Sequence, residues 1–187
     1  MSKEATHKTT EKRSTDSSGK AKGEESGVQE LFVEMLQDIY WAEKHLTKAL
    51  PKMSKAATTH ELRDAFDDHL AQTEEHVTRL EKAFELMGKK AQAKKCEAME
   101  GLTKEADEMT EETEKNSLTR DVALIAAGQK VEHYEIATYG TLVQLAGSMH
   151  LDEVASLLKE TLKEEKAADK LLTDIAEKNV NRQALEE

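Results

Sequence analysis

Along this chain apolar residues return every three, four and seven positions through four long stretches. Near the middle of each stretch the returning residue is a carboxylate or an imidazole. Residues seven apart lie on one face of an α-helix, so the period is helical. A soluble protein that aims several ionisable groups at its own core must compensate them there, because each buried ion costs several kcal/mol even after relaxation. Together these features predict helices packed around a polar centre.

The first stretch carries Leu36, Ile39, Glu43, Leu46 and Leu50 on one face, and Pro51, which removes a backbone donor, should kink or end that helix. The second begins near His60 and runs to about Met87, with Gly88 as its stop and Leu62, Phe66, His69, Thr73, His76, Leu80 and Ala83 facing inward. A basic linker, GKKAQAKK, leads to a narrow stripe of Cys96, Met99, Leu102, Ala106 and Met109, suited to a shorter helix on the outside. The next helix spans Leu118 to Met149, with Val131, Glu132, Glu135, Tyr139, Leu142 and Ala146 along its apolar side. The last runs from Leu151 to about Asn179 with Val154, Leu158, Thr161, Glu165, Ala168 and Leu172 inward. Four helices of ~25–30 residues, each ~40 Å long, make a bundle. The expected fold is all-α: a ferritin-like four-helix bundle, with the short extra helix in the crossover between helix pairs.

Composition agrees and excludes some functions. One Pro, few Gly and 4% aromatics among 187 residues suit an all-helical chain. A net charge of −11 argues against nucleic acid, which needs clustered Lys and Arg. No apolar run approaches the ~20 residues of a membrane span. The N-terminus has no apolar signal region, and a lone Cys96 offers no disulfide framework, so a cytoplasmic location is expected. Residues 1–27 bury almost nothing and balance six basic against five acidic groups, which predicts a disordered polar tail before a bundle domain over 28–187. Phe32, Met35 and Trp41 fall off the inward stripe of the first helix, a surplus of apolar surface that predicts a homodimer.

The ionisable residues converge. Glu43 lies seven from both Leu36 and Leu50; His69 and His76 are seven apart with Gln72 and Thr73 between them; Glu132 and Glu135 flank one stripe. Glu165 lies seven from Leu158 and Leu172, with Asp169 one turn beyond, whereas Glu74, Glu75, Glu164 and Lys166 point outward as solvated charge. A single His on an apolar face is commonly a hydrogen-bonded core residue, and a single Glu can snorkel at a bundle edge. Five acids and two His at matching depth on four helices fit neither account. The stripes hold no Arg or Lys, with Arg79 nearest at the edge, so divalent cations are the remaining compensation. Carboxylate with imidazole suits iron, manganese or zinc. Tyr40, Tyr134, Tyr139 and Trp41 read as core residues or hydrogen-bond donors beside the centre. Setting Glu43 on Glu135, Gln72 on Glu165 and His76 on Asp169 also aligns Leu50 with Leu142, which suggests a duplicated hairpin.

The segments DIYWAEKHLTKALPKM, HLAQTEEHVTRLE, KKCEAMEGL, QKVEHYEIATYGTL and KETLKEEKAADKLLTDIA closely resemble the bacterial YciE/YciF-like stress proteins, from about Val28 to Asn179. The resemblance implies a ferritin-like bundle related in fold to rubrerythrins and bacterioferritins, and a ferroxidase-like metal centre. Di-iron bundles of the rubrerythrin type use Glu-x-x-His on two helices. Here the second helix offers His69, Gln72 and His76 and the fourth Glu165 and Asp169, so a bridging carboxylate is missing and the second metal should bind more weakly.

The function expected is oxidation of Fe²⁺ in stress protection at a di-iron or di-manganese centre. Glu43, His76, Glu135 and Glu165 are the expected ligands, and Glu132 and Asp169 further ligands or groups on a metal-uptake path. His69, Gln72 and Tyr139 are expected as supporting donors, with His76 at the depth of the carboxylates and His69 ~10 Å further along the axis. Two ions per chain are expected, zinc being a third possible metal. The alternatives are a manganese catalase-like enzyme, or a non-enzymatic dimer that buffers metal or binds a partner.

Overall fold

The structure, a computed structural model, describes residues 26–187. Of the expected tail over residues 1–27, residues 1–25 lie outside the described part, and Ser26 and Gly27 belong to the bundle as the cap and first residue of its first helix. The helices are α1 (Gly27–Ala56), α2 (His60–Leu86), α3 (Glu97–Glu112), α4 (Leu118–Ser148) and α5 (Asp152–Ile175). A π-helical turn, Ala176–Val180, joins α5 to a terminal α6 (Asn181–Ala184), so the last helix continues past the expected stop at Asn179. No helix among the described residues is long and apolar enough to cross a membrane.

The starts of α1 to α4 are chemically marked, whereas α5 begins after Leu151 with no side-chain cap. Ser26 and Gln29 form a reciprocal capping box, the Thr59 side chain accepts from Leu62 N, and Ser117 accepts from Arg120 N. The Cys96 sulfur accepts from Met99 N at the head of α3. Gly88, at φ +65°, ends α2 in a left-handed conformation that lets Lys89 N reach back to Phe84 O at 2.9 Å. Pro51 does not end α1: the helix runs on to Ala56, with the proline on the exposed side where water can satisfy the carbonyl it leaves unbonded.

The loop after α1 meets the start of α4, since Thr58 and Thr59 bond to Asp121. Phe32, Met87 and Met149 meet at the opposite end. Hence α2 and α4 run the same way, and the linker with α3 carries the chain back along the outside of the bundle. This is the expected crossover topology. Helix α1 packs mainly on α2 and α4 on α5; the pairs α2–α5 and α1–α4 close the ring, while α3 lies on α4 and α1. Beneath α3 the Cys96 sulfur shares a 3.0 Å hydrogen bond with the Tyr134 hydroxyl, which donates to Asp38 at 2.7 Å.

The core is the set of inward stripes. Phe32 corrects the sequence reading: it is fully buried, one turn before Leu36, and extends the stripe to the end where Met87 and Leu151 cover it. Met35 and Trp41 are partly buried against the core. The surplus apolar surface is therefore smaller than the sequence suggested.

Candidate metal centre

At mid-bundle, four helices each place a carboxylate or an imidazole into a largely enclosed space. Glu43 of α1, His76 of α2, Glu135 of α4 and Glu165 of α5 are fully buried, and His69 and Glu132 are nearly so. Two sets of atoms are close enough to share an ion: Glu43, His76 and Glu165, and His69, Glu132, Glu135 and Glu165. Glu165 belongs to both.

The histidines are oriented for this. A carboxylate oxygen of Glu164 lies 2.9 Å from His76 Nε2, which must donate, leaving Nδ1 to face Glu165 at 3.0 Å and Glu43 at 3.4 Å. Gln72 Oε1 lies 3.4 Å from His69 Nδ1, and His69 Nε2 faces Glu132 at 3.3 Å and Glu165 at 3.7 Å. Tyr139 donates to Glu43 at 2.5 Å. Yet many acceptors remain without a hydrogen bond: Glu43 Oε2, Glu132 Oε2, both oxygens of Glu135 and of Glu165, together with His69 Nε2 and His76 Nδ1. Buried polar atoms normally have partners, and this cluster is a concentrated exception.

The electrostatics follow. Burial, reinforced by neighbouring carboxylates, raises Glu132 and Glu135 well above the usual carboxylate range, and raises Glu43 despite the facing His76 imidazole and the Tyr139 hydroxyl. Burial alone would lower His76, but its contacts with Glu165 and Glu43 push it up to about 10. Among the described residues no Lys or Arg bonds to the six residues of the centre. Among the described residues Arg120 is the buried arginine, and it is bonded to the Thr110 and Thr113 carbonyls about 18 Å along α4 from Glu132.

Three expectations change. His69 does not stand apart from the carboxylates: its ring lies 6.2 Å from that of His76, because two imidazoles close most of the axial gap between their backbones. Asp169 lies outside both sets, on the α4–α5 seam, where it accepts from Gln129 and faces the exposed His133 at 3.3 Å. The duplicated-hairpin alignment therefore fails at His76 and Asp169, although Glu43 and Glu135 do share the centre. Glu164, read as solvated, is a quarter exposed and held bidentately by Arg79 as well as bonding His76. Burial acts against its ionisation, but the Arg79 and His76 bonds outweigh that and lower it. Arg79 at the edge of its stripe was the available signal, pointing to an acid across the α2–α5 seam.

Comparison with known proteins gives consistent relatives. The chain matches the family described as "Domain of unknown function (DUF892)" over residues 27–185. It is 50% identical to Protein YciF of Escherichia coli (strain K12) over 158 residues, covering 84% of this chain and 95% of that protein. The crystal structure of the E. coli stress protein YciF superposes with a TM-score of 0.79 at 49% identity, covering 84% of this chain and 99% of the other. YcfI of Rhodopseudomonas palustris superposes with a TM-score of 0.77 at 40% identity, covering 79% and 94%.

Proposed function

The chain belongs to the DUF892 family of YciF-like proteins, and on that premise we propose that its centre holds two divalent transition-metal ions and oxidises Fe²⁺ in stress protection. One ion would take Glu43, His76 and Glu165, and the other His69, Glu132, Glu135 and Glu165. The observation that carries this reading is the set of buried carboxylate oxygens and imidazole nitrogens with no hydrogen-bond partner. Four carboxylates with no buried Lys or Arg nearby among the described residues call for four positive charges, which two divalent ions supply. Bound there, iron or manganese would provide electron transfer and Lewis acidity; zinc fits the donors but has no redox chemistry.

The chain's own residues do the rest. Glu164, fixed by Arg79, sets the His76 tautomer so that Nδ1 faces the centre, and such supporting partners tune affinity strongly. Gln72 does the same for His69. Tyr139 steadies Glu43, and the surrounding apolar packing keeps water scarce. Gln72 supplies no carboxylate; Glu165, common to both ligand sets, would help to hold both ions. The weaker ion is then the one bound through His69, which sits on the accessible side.

A homodimer is part of this reading. It is supported by Val28 and Leu31, half exposed on α1, and by Met35 and Trp41, which are only partly buried on the same helix. Sedimentation at micromolar concentration should give a dimer; a monomer would remove this part.

The test is anaerobic loading with Fe²⁺ followed by peroxide or dioxygen. Fe³⁺ should form faster than in buffer, with two Fe²⁺ giving up two electrons per peroxide reduced to water, and Glu165→Gln should abolish the excess rate. Oxygen evolution from peroxide by the manganese-loaded protein would identify a catalase-like enzyme instead. Tight binding without turnover would leave metal buffering.

A further inference from the structure

The six residues of the centre are not equally enclosed. Glu43, His76, Glu135 and Glu165 have no exposed surface, whereas His69 and Glu132 retain 6% and 3%. That exposure faces a cavity of about 140 Å³ between α2 and α5, whose inner wall is His69 and Glu132. Both residues carry an unpartnered buried atom, His69 Nε2 and Glu132 Oε2. Four other surface cavities touch none of the six.

Apart from Asp68 and Gln72, the rest of the wall is apolar. Ala65 and Ala168 leave the space open, Phe66 and Leu172 floor it, and Leu171, 43% exposed, stands at the rim. Asp68 and Gln72 are the polar groups away from the centre. A hydrated cation would lose its water shell against such a wall with little to replace it, while a small uncharged molecule loses little.

We propose that this cavity is the route and docking space through which a small uncharged oxygen species, hydrogen peroxide or dioxygen, reaches the His69–Glu132 side of the centre. The inference rests on the proposed metal centre. Ala168 and Leu171 set what passes: Ala168 by its lack of side-chain bulk, Leu171 by its position at the mouth.

The probe is nitric oxide, an uncharged diatomic, mixed anaerobically with protein loaded with Fe²⁺ to equal content. The rate at which the iron–nitrosyl absorption appears should fall about tenfold or more in Ala168→Leu, whose isobutyl group fills the cavity. Ala155→Leu, an equally half-buried position elsewhere on α5, should leave the rate unchanged. Leu171→Trp, at an exposed position that does not enter the core, should also slow it and serves if Ala168→Leu does not fold. Equal rates in wild type, Ala168→Leu and Leu171→Trp would overturn the route while leaving the metal centre intact. A wild type that takes up no Fe²⁺ would overturn both. The same variants mixed with peroxide or with dioxygen name the oxidant: slowing with either supports the route, and slowing with neither overturns it.

Discussion

Asp121 and Glu135 lie on one face of α4, and neither has any exposed surface. Their surroundings are opposite. Asp121 accepts the backbone N–H groups of Thr58 at 2.6 Å and Thr59 at 2.8 Å, one on each oxygen. Glu135 has no hydrogen-bond partner on either oxygen. The first is a finished structural site that pins the α1–α2 loop to the head of α4. The second needs something the chain does not provide. Burial of charge does not itself mark a functional centre; burial without partners does.

The largest expected effect breaks the comparison at Glu165, the residue common to both ligand sets. Glu165→Ala should lower metal affinity by about 100-fold or more, since even supporting partners of ligands are worth 10–100-fold. Calorimetric titration with Mn²⁺ would show it, and an unchanged isotherm would count against the shared role. At the other site, Asp121→Ala should cost about 2–3 kcal/mol in urea unfolding by stranding two backbone donors. Its metal affinity should stay at the wild-type value, because the finished site takes no part in binding. Glu164→Gln weakens the carboxylate behind His76 and should lower affinity about tenfold.

The smallest effect sharpens the contrast in the metal-free protein. Glu43, Glu132, Glu135 and His76 all have folded values above their ordinary ones, so the folded state keeps protons that the unfolded chain has lost. Their contribution to stability is complete below the ordinary Glu value of 4.5 and His value of 6.5, and is lost as pH rises, for His76 through about 10. Metal-free protein should therefore melt at progressively lower temperature from pH 5 to pH 9. Glu135→Gln should flatten that slope and raise stability at pH 8 by about 1 kcal/mol, as relief of an unpaired buried charge does. A melting temperature that rises with pH would show that these carboxyls are compensated in some other way.

The spacing of seven made much of this legible in advance. Residues returning to one helical face are buried together, and that brought out the stripes, the four-helix core and the inward Glu43, His76, Glu135 and Glu165. The depth of His76 was read from the duplicated-hairpin alignment, which holds at Glu43 and Glu135 but not at His76 and Asp169. Side-chain reach and the seams between helices were not legible. His69 was set aside because its backbone is about two turns from that of His76, yet its ring reaches Glu132 and Glu165. Glu164 is adjacent in sequence to the inward Glu165 and read as solvated, but the α2–α5 seam brings Arg79 and His76 to it. Asp169 shows the reverse: one turn from Glu165, it is drawn to the α4 seam by Gln129. Phe32 was counted as surplus because nothing in the local pattern revealed that the ends of α2 and α4 would cover it.

The most direct test of the central claim is the metal content of the purified protein after anaerobic loading with Fe²⁺ or Mn²⁺ and removal of free ion, measured beside Asp121→Ala and Glu165→Ala. The account predicts about two ions per chain in wild type and in folded Asp121→Ala, with loss of most of both in Glu165→Ala; fewer than about 0.2 equivalents in wild type would contradict it, because unpartnered buried carboxylates should bind metal appreciably.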